Sequence, residues 1–109
     1  MKFRSAKADD NQPQLVAALR KAGATVRHVH QVKKLFDVIV GYRNKVYLTE
    51  IKDGAKFPQK FWKMEEKERS EWIISTLTKD ELICRNDFEK VGVKIHIIYD
   101  VDSALKLIL

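Results

Sequence analysis

Apolar positions change their spacing along the chain, and each change marks an element. In NQPQLVAALRKAG (residues 11–23), Leu15, Val16, Leu19 and Ala22 recur at three- and four-residue intervals, as on one face of a helix. Asn11 can cap this helix, Pro13 suits its first turn, and Gly23 stands where a C-terminal stop belongs. ATVRHVHQV then alternates and predicts a strand over residues 24–32. Two further strands are expected over 35–42 and 45–52, joined by a tight turn at Arg43-Asn44. LTKDELICRNDFEKVG opens a second helix, with Thr78 and Glu81 spaced as a capping box and Gly92 as its end. VKIHIIYD predicts a strand over 93–99, and VDSALKLIL a short closing helix. The pattern describes a single α/β domain with a mixed central sheet of about four strands flanked by helices. Only residues 55–77 fit neither period cleanly, being charged and aromatic together and partly helical.

The two central strands carry charges where strands are normally poor in them. FDVIVGYRNKVYLTEIKDG (residues 36–54) places carboxylates at Asp37 and Glu50 and an ammonium at Lys52. Centring the turn on Arg43-Asn44 pairs Tyr42 with Lys45, Val40 with Tyr47 and Val38 with Thr49. One step further, Asp37 meets Glu50, with Cβ atoms about 4.5–5.5 Å apart on one face. Lys52 follows on that same face. Two ionised carboxylates at ~5 Å repel by about 3 kcal/mol at an effective dielectric near 20, so something must offset them. One solution is a divalent cation, because Asp, Glu and a backbone carbonyl are hard oxygen ligands suited to Mg²⁺ or Mn²⁺. A lysine beside such an ion can orient a water or stabilise charge developing on a phosphate. The other solution is a wet sheet edge with Lys52 as a simple ion-pair partner.

Composition narrows the class. The 109 residues suffice for one modest core, and 45% hydrophobic with 33% charged residues is ordinary for a folded globular domain. Residues 1–11 contain no apolar run, so a signal peptide is not expected, and no segment reaches membrane-spanning length. A lone Cys84 fits helix packing in a reducing cytoplasm. The net charge of +6 is unevenly spread: residues 1–64 hold 14 Lys/Arg against 5 Asp/Glu, and residues 65–109 hold 7 against 10. A basic half beside an acidic half points toward a polyanionic partner, with Arg4, Lys7, Lys33 and Lys34 as candidate phosphate contacts. His28, His30 and His96 lack the ligand spacing of a zinc site. Phe61, Trp62 and Trp72 could stack on bases beside Lys60 and Lys63, but packing is the simpler reading.

An Asp in one strand followed by Glu-x-Lys in the next, between two helices, resembles the PD-(D/E)XK nuclease superfamily. FDVIVGYRNKVYLTEIKDG with the later LTKDE is similar, more narrowly, to small phage and bacterial relatives of the VRR-type nuclease domain. The resemblance extends over DNQPQLVAALRKAGATV, the hairpin, LTKDE and VDSALKLI. It implies a restriction-endonuclease-like αβββαβ core across residues 1–109, with residues 55–77 as an insertion that shapes substrate choice. It also implies Asp37, Glu50 and the Ile51 carbonyl as ligands of Mg²⁺ or Mn²⁺, and Lys52 as the catalytic lysine. The first helix of such nucleases often adds a Glu; this chain has Gln12 and Gln14, with Gln14 the nearer equivalent. Phe36 replaces the proline that often precedes the strand Asp. The implied activity is metal-dependent hydrolysis of DNA phosphodiesters, with branched DNA among the candidate substrates and a cytoplasmic, bacterial or phage-encoded setting. The competing expectation is a non-catalytic nucleic-acid-binding or structural protein, motivated by the missing helix Glu. DNA is the expected partner in either case, a membrane is not, and a homodimer is a further option.

Overall fold

The computed structural model describes residues 10–29 and 31–109. The first helix, α1 (Gln12–Lys21), buries Leu15, Val16 and Leu19 and takes Pro13 in its first turn. Gly23 ends it in the left-handed region, at φ 105°, where a side chain would be strained. The chain then enters the sheet.

Four strands follow: β1 (Thr25–His28), β2 (Val38–Tyr42), β3 (Lys45–Ile51) and β4 (Ile95–Ile98). They lie in the order β1-β2-β3-β4; the first three are antiparallel, and β4 runs parallel to β3. The hairpin register runs from Tyr42 opposite Lys45 to Val38 opposite Thr49, as the sequence predicts. Arg43 and Asn44 both have positive φ, 48° and 67°, as in the turn whose twist matches that of its flanking strands. Between β3 and β4 the chain makes a 3-10 turn (Gly54–Lys56) and then α2 (Gln59–Trp62), α3 (Glu66–Ser75) and α4 (Lys79–Glu89). The last element is α5 (Val101–Ile108).

The first strand is shorter than the alternation in residues 24–32 predicts. The Val29 N–H still bonds the Asp37 carbonyl at 2.8 Å, one step beyond the strand's last pair, but the Val32 N–H turns back to the Val29 carbonyl and the chain leaves the ladder there. Lys34, at φ 65°, completes that change of direction. Phe36 lies outside β2 and packs edge-on against Phe88 of α4.

One face of the sheet presents Val26, Val38, Val40, Ile51 and Ile98 to α1 and to Ala104 and Ile108 of α5, and this is the main core. Full burial of each large aliphatic side chain contributes about 1.5–3 kcal/mol. The opposite face lies under α4, where Phe36, Leu77, Cys84, Ile95 and Ile97 surround Glu50. Residues 55–77 build a second apolar centre: Phe61 is fully buried, with Phe57 at 4.8 Å and Trp72 at 5.2 Å between ring centroids, and Tyr99 closes the cluster. Gly54 joins this segment to the sheet. Its N–H bonds the Tyr99 carbonyl at 2.9 Å, and a Cβ there would lie 2.5 Å from the same oxygen.

The architecture is thus a four-stranded mixed α/β sandwich, and no feature of it is specific to the restriction-endonuclease class. No helix among the described residues is long and apolar enough to cross a membrane.

Candidate functional site

The strand charges do meet, but they meet one another. Asp37 sits just before β2, its own N–H bonded to the Thr49 carbonyl at 3.0 Å. Its Oδ2 accepts the Ile51 N–H at 2.7 Å. Glu50, on the α4 face of β3, is only 6% exposed. Burial, then the carboxylates of Asp37 and Glu81, push its carboxyl up to about 11, so Glu50 is a neutral acid beside both neighbours. The capping box of α4 supplies the fourth member. Glu81 Oε1 accepts from the Thr78 N–H at 2.9 Å and from Lys52 Nζ at 2.7 Å. Burial raises the Glu81 carboxyl, but the Lys52 ammonium and the Thr78 N–H outweigh it and hold the carboxyl below its ordinary range.

This arrangement overturns the expected metal centre. Among the described residues no group of three or more His, Cys, Asp or Glu side chains could hold a metal ion. The physical reason is visible in the bonds. An oxygen of Asp37 is committed to a backbone N–H, and Glu81 is committed to Lys52 and to its helix cap. The expectations of Mg²⁺ or Mn²⁺, of a PD-(D/E)XK catalytic core and of phosphodiester hydrolysis are corrected accordingly. The Ile51 carbonyl has no such centre to complete. Lys52 pairs with Glu81 under a helix, so neither of the two solutions the sequence left open, a metal ion or a wet sheet edge, describes the site. The Lys52 side chain is 17% exposed and that of Glu81 is 23% exposed.

Gln14 is exposed on α1 and lines a shallow recess with Asn11, Asp53 and Tyr99. Gln12 is instead the inward amide, 2% exposed, with Nε2 3.1 Å from His28 Nδ1. His96 stacks edge-on against Tyr47. Glu81 is the member of the polar network that sequence reasoning missed. Its capping role was legible; the signal for its second role was an uncompensated lysine on a face that a helix had to cover.

The basic residues behave differently. From residue 11 to residue 49 the chain has seven Lys/Arg and a single acid, Asp37, which is turned to Ile51. Arg20 and Lys21 end α1, Arg27 lies in β1, Lys33 and Lys34 follow it, and Arg43 and Lys45 flank the adjacent turn. All seven are exposed, and none forms an ion pair with another described residue. Arg20 donates to the Val26 carbonyl at 2.8 Å, and the Arg43 guanidinium lies over the Tyr42 ring at 5.1 Å. In sequence they lie before, within and after β1, a strand with no outer neighbour among the described residues. Arg4 and Lys7 lie outside the described residues.

Comparison of the chain with protein-family models, with curated proteins and with solved structures returns no match.

Proposed function

We propose that this domain binds nucleic acid along its β1 edge and does so without cutting it. The observation that carries this reading is the row of seven exposed cations from Arg20 to Lys45 with no carboxylate partner among the described residues. A cation already held by a carboxylate must exchange that partner for a phosphate, whereas a free one only displaces solvent and counterions. The spread of the row over a helix end, a strand, a loop and a turn suits contact with successive phosphates. The carboxylate network takes no part, since its polar groups already bond one another.

The test is the salt dependence of binding to labelled duplex and single-stranded DNA, read by fluorescence anisotropy. Affinity should fall steeply as salt rises toward physiological strength, because each phosphate contact releases about 0.9 of a counterion on duplex DNA. Replacing Lys33 and Lys34 by Ala together should lower the logarithmic salt slope by about two. An affinity indifferent to salt would point to a partner other than nucleic acid.

A further inference from the structure

At the other side of the sheet, β4 also lacks a neighbour among the described residues. The Lys52 N–H bonds the Ile98 carbonyl at 2.9 Å, so Ile98 faces β3. Strand alternation turns His96 the same way and directs the backbone N–H and C=O of Ile95 and Ile97 to the free edge. Among the described residues no strand pairs with that edge. A groove of about 680 Å³ runs along all of β4, walled by α3 on one side and by Ser103, Lys106 and Leu107 of α5 on the other.

The groove has a sign. Arg69, Arg85, Lys94 and Lys106 line it against one acid, Glu66. Arg69 is held by the carbonyls of Phe61 and Trp62, at 3.3 and 2.7 Å. Arg85 and Lys106 make only single-turn helix pairs, to Glu89 and Asp102, each at 3.5 Å. Such pairs are weak and exchange readily for a better partner. Lys94 forms no ion pair with another described residue and stands exposed at the entrance to β4.

We propose that the free edge of β4 takes up an extended, acidic segment of a partner protein as a fifth strand. The free peptide groups supply both donors and acceptors, which a strand can satisfy in full and a phosphate chain cannot. The basic lining selects among strands, admitting acidic ones and repelling basic ones. A second copy of this chain fits poorly, because pairing β4 with itself would set one mainly basic lining against another. This surface is separate from the β1 edge, so the proposal stands or falls independently of nucleic-acid binding.

The probe is a fluorescein-labelled seven-residue peptide alternating valine with aspartate or glutamate. Its controls are the same peptide N-methylated at alternate residues, a version with lysine in place of each acid, and an oligothymidylate of similar length. The acidic peptide should bind at least about tenfold more tightly than either peptide control, since one loses the ladder and the other the charge match. It should slow amide hydrogen exchange at Ile95 and Ile97, and Lys94→Glu should weaken it at least about threefold without changing the fold. Equal binding of the N-methylated peptide, no binding of the acidic peptide, or unprotected Ile95 and Ile97 amides would overturn the proposal. Protection of those amides by the oligothymidylate alone would assign the groove to nucleic acid. Protection that grows with protein concentration in the absence of peptide would assign it to a second copy.

Discussion

Two regions of this domain use the same kinds of side chain to opposite ends. Under α4, Asp37, Glu50, Lys52 and Glu81 bond one another and neighbouring backbone groups, and Glu50 is a neutral acid. From the end of α1 to the start of β3, seven cations stand exposed with no ion pair to another described residue. The difference is one of burial. A charge taken out of water must find a partner within the fold, and once found, that partner occupies the atoms a ligand would need. A charge left in water keeps its field available to whatever approaches. Polar residues at suggestive spacings therefore mark a binding site only where their bonds are not already made.

The comparison is broken most severely at Lys52. Lys52→Ala removes the counter-charge of Glu81 from a site beside two further carboxyl groups, and should destabilise the fold by about 2–3 kcal/mol, less than for a fully buried pair. Chemical denaturation reads this directly, and a loss below about 0.5 kcal/mol would show that the network does not hold the helix to the sheet. Asp37→Ala leaves the Ile51 N–H without its acceptor. The expectation is a loss of about 1–2 kcal/mol, measured in the same way.

Glu50 makes the buried region sensitive to pH. Its folded-state pKa, pushed up to about 11, lies above the ordinary carboxylate value of the unfolded chain. Between those two values the folded protein keeps a proton that the unfolded chain has lost. Stability is therefore greatest at the acid end of the window and falls as pH rises, by at most about 1.4 kcal/mol per pH unit from this group. Denaturation midpoints at about pH 5 and about pH 9 should differ accordingly in the wild type, and Glu50→Gln should flatten the difference. A wild-type stability that rises across this window by the same amount in both proteins would show that Glu50 is not the group responsible.

Much of this was legible in the sequence, and what was not has identifiable causes. The hairpin register followed from one turn, because fixing Arg43-Asn44 fixes every pair below it. The α4 capping box followed from Thr78 and Glu81 alone. The strand charges were correctly placed near one another, but whether they bind an ion or one another depends on α4, which arrives from 29 residues along the chain to bring Glu81 onto Lys52. No local pattern carries that contact. The early end of β1 was hidden for a related reason, since alternation continues through Val32 while a backbone bond from Val32 back to the Val29 carbonyl turns the chain aside. In residues 55–77, rings that pack among themselves and charges that face outward obscured both periods.

The smallest effects on stability belong to the β1 edge. Substituting Lys33 and Lys34 by Ala should change unfolding free energy by no more than about 0.5 kcal/mol, because neither side chain is buried or paired with another described residue. A thermal melt checks this, and a large shift would mean that the edge is structural.

The most direct test of the division between the two regions is DNA affinity at low salt for two variants measured side by side against the wild type. One reverses three edge charges, Arg27→Glu with Lys33→Glu and Lys34→Glu; the other is Glu50→Gln. The edge variant should lose at least about tenfold in affinity while Glu50→Gln binds as the wild type does. Wild-type affinity in the edge variant, or a comparable loss in Glu50→Gln, would contradict the account.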